Sequence, residues 1–407
     1  GGYNQEESHK ESQWSQRTDV LLENLPSLSG STGTASVTDS FDEYAIRGLF
    51  YRVNYTYDGK YMFEANGRYD GTSRFPKDSR FGFFPSFSAG WRISEEAFMK
   101  NTKSFLSNLK LRASWGSIGN QIILKPDNTP ENYPYIPSMS PYLTEWLVDG
   151  QKTTTLNAPA MVSSSFSWEK VYTLDFGVDF GFFDNRFNGT FDWYRRDTKD
   201  MLAPGAELPS VVGASAPLQN TADLRTKGWE LSLTWRDRIG AWGYNVGFNL
   251  YDSKTVVTKY HNESKIILKS DGTNNYYEGY EIGSIWGYVT DGYYTADDFE
   301  DTNTWKLKEG VVTVDGVSPR PGDIKYKDIN GDGKIDEYDK VPIGWGSVPE
   351  IMYGFGFSVG WKNLSLTAMF QGAAHVDAML SGEGVLPFSQ GSSRGNLLSN
   401  ITDRWTE

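Results

Sequence analysis

Tyr172-Thr173-Leu174-Asp175-Phe176-Gly177-Val178-Asp179-Phe180-Gly181-Phe182 alternates without a break. Tyr172, Leu174, Phe176, Val178, Phe180 and Phe182 fall on one side, and Thr173, Asp175, Gly177, Asp179 and Gly181 on the other. A period of two is the mark of a strand with one apolar and one polar face. Tyr61–Asp70 repeats it, with Tyr61, Phe63, Ala65 and Tyr69 opposite Glu64, Asn66, Arg68 and Asp70. So do the runs from Leu109, Trp229, Trp242 and Tyr353.

Between these runs, short turns and long connections alternate. Asp58-Gly59 is a two-residue hairpin signal. Phe183–Arg186, Asp237–Ala241 and Trp361–Asn363 are further tight turns. Stretches 71–83, 117–170, 197–225 and 252–350 lack sustained alternation and are rich in Asn, Asp, Gly, Ser and Pro. One connection differs. Residues 94–108 fit a short helix capped at Ser94, with Glu95 and Glu96 in its first turn. The pattern predicts about ten strands, each near the ~9–11 residues that cross a bilayer.

Short turns at one end and long loops at the other organise an outer-membrane barrel. A soluble sandwich or propeller also alternates. Here, however, the apolar faces are heavy in Trp, Tyr and Phe near strand ends, and the opposite faces suit a wet lumen. The expected fold is therefore an all-β, antiparallel transmembrane β-barrel with short periplasmic turns and long extracellular loops. Composition agrees: 15% of the 407 residues are aromatic and 42 are Gly. Mean hydropathy is −0.52, and no run approaches the ~18 apolar residues of a membrane helix. The absence of Cys excludes disulfides and thiol chemistry, and His9, His261 and His375 are too scattered for a His-based centre. A net charge of −13 argues against nucleic acid as a partner.

Residues 328–339, DINGDGKIDEYD, carry the most explicit chemistry. Asp328, Asn330, Asp332, Asp336 and Asp339 take positions 1, 3, 5, 9 and 12 of a calcium loop, with Gly333 at the sharp turn and the Lys334 carbonyl at position 7. Hard oxygen donors suit Ca2+. Ile335 supplies an apolar anchor. Position 12 is Asp where Glu is usual, and the flanking helices of an EF-hand are missing. The expectation is a structural calcium loop in another setting. The bland alternative is an acidic loop rich in Asx turns.

Several blocks resemble SusC/RagA-type TonB-dependent transporters. They are GLFYRVNYTYDGKYMFEANGRYDGTSRFPKDSRFGFFPSFSAGWRISEEAFM from Gly48, LSNLKLRASWGSIGNQ from Leu106, GSIWGYVTDGYY from Gly283, and the run from Pro321 to Gly372. They occur in the family's order across nearly the whole chain. The resemblance implies an outer-membrane protein of a Gram-negative bacterium. It implies a barrel of about 22 strands around a plug, importing oligosaccharide or peptide with energy from the TonB complex and a SusD-like surface lipoprotein as lid. Plug, TonB-contacting segment and closing strands are not recognised here, so an internal portion of such a barrel is expected. In that orientation 252–350 is an extracellular loop carrying the calcium-like loop. Tyr276, Tyr277, Tyr280, Trp286, Tyr288, Tyr293 and Tyr294 then offer ring faces to a sugar, or simply pack the loop. Glu64, Arg68, Asp70, Asp175 and Asp179 would wet and brace the lumen.

Two other functions are compatible with parts of the sequence. One is a secreted, calcium-stabilised carbohydrate-binding module or adhesin. The other is a glycoside hydrolase, which needs two carboxylates flanking a cleft. No spacing singles out such a pair, so no catalytic residue is expected.

Overall fold

A computed structural model describes the chain apart from residues 25, 125–127, 160, 164–165, 205–208, 213–216, 261–276, 302, 315, 383–384, 386–398, 400–401 and 403–407. Eleven strands form one sheet whose order follows the chain. The first five are β1 (Gly2–Arg17), β2 (Ala35–Tyr57), β3 (Tyr61–Thr72), β4 (Phe81–Arg92) and β5 (Leu106–Asn120). The others are Glu169–Phe182, Phe187–Pro204, Leu218–Ile239, Trp242–Lys259, Ile351–Trp361 and Leu364–Ala374. Contacts group the chain into two compact units, 1–101 with 109–177 and 195–223, and 102–108 with 178–194 and 224–407.

In the first unit, the register sorts side chains into rows. Tyr57 faces Tyr61, Tyr61 faces Trp91, and Trp91 faces Leu111. Next come Tyr55, Phe63, Ala89 and Ala113, then Val53, Ala65, Phe87 and Trp115. Leu49, Tyr69 and Phe83 make the last wholly apolar row. From Tyr57 to Leu49 the band runs roughly 26 Å along the strand, the scale of the apolar belt of a membrane barrel. Its side chains are open: Val53 is 56% exposed and Tyr55 62%. A water-soluble sheet buries such a face, because a contiguous apolar patch of this size is costly in water. Lipid is the solvent that fits it. Tyr57, Tyr61 and Trp91 stack successively at the short-turn end, as an aromatic girdle does.

The other face is polar and paired. Arg52 lies 2.6 Å from Glu64, whose other oxygen accepts from Asn66 at 2.7 Å. Arg68 lies 2.9 Å from Asp70. In the second unit Trp242 faces Trp361, ring centroids 5.6 Å apart, and Phe248 faces Phe355, which faces Phe370. Behind them the opposite face is smooth, with Gly243 across from Gly360 and Gly247 across from Gly356.

The turns follow the sequence chemistry. Asp58 and Gly59 have φ of 50° and 63°, the paired positive values of a type I′ hairpin. Phe183, Asp184 and Asn185 are also positive. The turn placed at 237–241 is tighter, since the strand continues to Ile239. Three expectations need amending. First, the sheet has one strand more than the pattern indicates, because β1 is polar along most of its length. Second, several strands outrun the bilayer: β2 has 23 residues, roughly 75 Å, and the strand from Trp242 continues to Lys259. Third, residues 94–108 hold 3-10 turns at Ile93–Glu95 and Ala97–Thr102, with no α-helix capped by Ser94. Ser94 is buried inside the first turn. Glu96 accepts from Trp91 Nε1 at 2.9 Å and from the Tyr61 hydroxyl. That grip ties the connection to the girdle and leaves it little room to wind.

Arginine placed at Val53, near mid-band, is expected to destabilise the barrel by about 2–4 kcal/mol. Ser88→Lys, on the polar face, should be tolerated. Guanidinium unfolding in phospholipid vesicles measures both, and equal stability of Val53→Arg and the parent would show that this face does not meet lipid.

Candidate functional site: the connection from Lys259 to Ile351

This connection is a small folded body. Ile285–Gly287 pairs with Val341–Gly344, Thr290–Tyr293 with Ile324–Tyr326, and Phe299–Asp301 with Lys306–Leu307. Tyr294, Phe299 and Ile335 are 3%, 4% and 1% exposed and give it a core. Asp298 braces one corner. Its carboxylate accepts from the Thr295 amide at 2.8 Å and from Lys325 Nζ at 2.9 Å. Burial works to raise this carboxyl, but the Thr295 amide and the Lys325 ammonium outweigh it and hold it below the usual range.

The acidic loop sits within this body. Asp328 accepts from the amides of Gly331 (2.6 Å) and Gly333 (2.8 Å). Asn330 accepts from the Asp332 amide and Asp332 from the Lys334 amide, each at 2.9 Å. Gly333 has φ of 83°, which a side chain would strain, as its place at the sharp turn requires. Ile335 is the buried anchor and bridges to Val314. Asp339 is wholly buried and binds the amides of Ile329, Asn330 and Asp336. Asp336 caps the short turn Glu337–Asp339 through the Tyr338 amide.

Among the described residues, no three or more His, Asp or Glu side chains gather as a metal-holding group. The chain's own amides therefore close the loop. The donor set still fits a hard cation in kind. Asp328, Asn330, Asp332 and Asp336 keep oxygen lone pairs beyond those the amides use, and the Lys334 carbonyl adds another. Asp339 has little capacity left. Burial raises the Tyr288 phenol, and the carboxylates of Glu337, Asp336 and Asp339 raise it further.

The aromatic stretch divides by role. Tyr277 packs on Trp286 (4.6 Å), and Tyr280 meets the edge of the same indole (5.0 Å). Tyr288 packs on Tyr326, and Tyr294 is buried with its hydroxyl donating to the Val312 carbonyl at 2.7 Å. These residues mainly hold the body together. Tyr280 and Tyr293 remain about half exposed, at 48% and 53%. Tyr276 lies outside the described residues. Tyr280 borders a recess of about 470 Å³ shared with Lys254, Glu281, Ser284, Ile343 and Trp345. Lys254 and Glu281 pair across it. Trp345 is 44% exposed and lies flat on His375, centroids 4.7 Å apart. The His375 Nδ1 is 3.1 Å from Glu350. Trp345 was not singled out in the sequence. Its position between Gly344 and Gly346, just before re-entry into the sheet, was the available signal.

A sheet with a lipid-facing belt, a polar reverse face and a folded long connection fits an outer-membrane β-barrel protein. The family model for the TonB dependent receptor-like β-barrel matches residues 2–368, and the chain belongs to that family. It is similar to receptors of the SusC/RagA type, and its family resides in the outer membrane of Gram-negative bacteria. The family is one of receptors and not of enzymes. A TonB-dependent receptor of Formosa agariphila is 29% identical over 397 residues, covering 93% of this chain and 36% of the relative. TonB-dependent receptor SusC of Bacteroides thetaiotaomicron is 29% identical over 335 residues, covering 78% and 30%. The chain thus spans about a third of the length of these relatives. The closed-closed RagAB peptide importer superposes with a TM-score of 0.69 at 22% identity, covering 92% of this chain and 39% of that one, a likeness of fold.

The lowered Asp298 carboxyl carries a pH signature. Its stabilisation of the folded state is in force above about pH 3.9, the unfolded carboxylate value, and is lost as pH falls through the lower folded value. The protection of amides 295–301 against hydrogen exchange, relative to the intrinsic rate at each pH, should fall on acidification below about pH 4. Asp298→Asn should exchange faster at neutral pH and lose that dependence.

Proposed function

We propose that the chain forms part of an importer that takes a large nutrient, an oligosaccharide, through the outer membrane. A SusD-like surface lipoprotein captures the substrate with it, and the TonB complex supplies energy from the periplasm. The observation that carries this reading is the recess at the root of the outer connection. Tyr280 and Trp345 offer ring faces, while Ser284, Lys254 and Glu281 offer hydrogen bonds. Flat apolar rings flanked by polar groups match a sugar, whose two faces are apolar and whose rim is hydroxyl. Below the recess, past Tyr251 and Met352, the face carries Gly243, Asn245, Gly247 and Asn249 opposite Gly360, Ser358, Gly356 and Gly354, small or polar groups that suit a polar solute. The peptide importer RagAB has the same fold, so a peptide is the second reading. The partly exposed rings of Tyr280 and Trp345 favour the sugar. The lipid-facing belt disfavours a secreted module.

Calcium belongs to the same proposal. Asp328, Asn330, Asp332 and Asp336, with the Lys334 carbonyl, hold a Ca2+ ion, while Asp339 organises the loop's amides. The ion offsets clustered carboxylates and stiffens the outer body. Sites outside the cell fill at about 10⁻⁴–10⁻³ M.

Uptake of labelled oligosaccharides and peptides by intact cells tests the transport reading. Tyr280→Ala with Trp345→Ala should cut oligosaccharide uptake by about tenfold or more, each ring contributing ~0.5–1.5 kcal/mol. Unchanged uptake of every oligosaccharide, with peptide uptake lost, would transfer the site to peptides. For calcium, calorimetry of the purified protein should find binding that Asp332→Ala weakens. Equal heats from both proteins would refute the site.

A further inference from the structure

We propose that the lipid-facing side of the barrel carries a docking site for the phosphorylated headgroup of an outer-leaflet glycolipid, built from Arg47, Lys77 and Arg80. The proposal rests on the membrane placement and is independent of the import reading.

The apolar band ends on the long-connection side at the row Leu49–Tyr69–Phe83. The next row is Arg47, Gly71 and Phe81. Phe81 stacks on Tyr69, centroids 5.3 Å apart and planes 13° apart. The Arg47 guanidinium lies 4.9 Å over the Phe81 ring. Gly71 makes the stack possible, since a Cβ there would meet the Phe81 ring at 2.3 Å. An arginine at the edge of the hydrocarbon is thus held over an aromatic platform, its charge at headgroup height.

Lys77 and Arg80 come from the connection between β3 and β4. That turn is fastened from its inner side. Trp168 Nε1 donates to the Arg80 carbonyl at 3.1 Å, and Ser79 Oγ to the Phe166 carbonyl at 2.7 Å. Arg80 Nε donates to the Phe75 carbonyl at 3.2 Å, which aims its remaining N–H groups. Phe75, Phe166 and Trp168 belong to one buried cluster, so the turn's backbone is rigid. The three cations border a single recess of about 470 Å³, together with Gln5, Ser73 and Phe81. Among the described residues none of the three is in an ion pair. The nearest acids in chain and register are Asp78, in the same turn, and Glu7, opposite Ala45.

Three uncompensated cations beside an apolar wall need an anion that also has apolar chains. A free anion would satisfy the charge and ignore the wall. Long connections mark this end as the outer face, so the lipid present is that of the outer leaflet. Phosphate on its sugar backbone reaches Arg47, Lys77 and Arg80 by charge-assisted hydrogen bonds, while its acyl chains lie along Leu49 and Phe83. Such a clasp fixes the height of the barrel wall in the membrane beneath the outer loops.

The test uses the intact protein extracted from outer membranes, with retained lipid read by native mass spectrometry. Phosphorylated glycolipid should stay bound through delipidation. Retention should fall roughly fivefold per cation removed, so the triple variant Arg47→Gln, Lys77→Gln, Arg80→Gln should retain almost none. Lys77→Gln alone, at an exposed turn, decides the matter if the triple variant fails to assemble. Lys100→Gln, at the opposite end of the band, should change nothing. Chemically dephosphorylated glycolipid should not be retained, and millimolar inorganic phosphate should not displace the native lipid. Equal retention by parent and variants overturns the site. Displacement by inorganic phosphate alone, or equal retention of dephosphorylated lipid, overturns the headgroup assignment.

Discussion

Inside a bilayer no water is available to an unpaired N–H or C=O group. That constraint governs this chain. Each strand must find a partner along its whole length, and the cheapest partner is the next strand. The resulting order follows the sequence from β1 to Leu364–Ala374. Once every backbone group is in a ladder, side chains can only alternate, and each side meets a different solvent. Tyr55 and Phe63 are exposed together because lipid is what they face. Arg52 and Glu64 are neighbours on the reverse face, where charge is carried in pairs.

This logic explains what could be read from the residues alone. Period two over Tyr172–Phe182 fixes a strand, and an Asp-Gly between two such runs fixes a hairpin. Both are local signals. β1 was not legible, because it leaves the hydrocarbon early. Gly2 pairs with Phe50 inside the band, but Arg17 pairs with Ala35 well beyond it. Where both faces meet water, nothing selects apolar residues, so alternation of hydropathy vanishes while the ladder continues. The expected helix at Ser94 failed for a related reason. Its capping pattern was sound locally, but Glu96 had a stronger claim from Trp91, five residues back at the end of β4, and from Tyr61 on the neighbouring strand.

The acidic loop was legible in its turns and less so in its closure. The spacing of Asp328, Asn330, Asp332 and Gly333 marks Asx turns, and those turns form. Spacing does not reveal that Asp339 turns inward to bind three amides. That depends on the Ile335 anchor bringing Val314 alongside. Trp345 was hidden for the same kind of reason, since its recess partners Lys254 and Tyr280 lie far away in sequence.

Arg47, Lys77 and Arg80 border one recess just beyond the last wholly apolar row. The arrangement also has a mechanical reading. Phe75, Phe166 and Trp168 hold the rim turn from inside, and that turn follows directly from β3, whose Arg68 and Asp70 face the lumen. A rim turn packed on a buried aromatic cluster holds Lys77 and Arg80 beside the last apolar row.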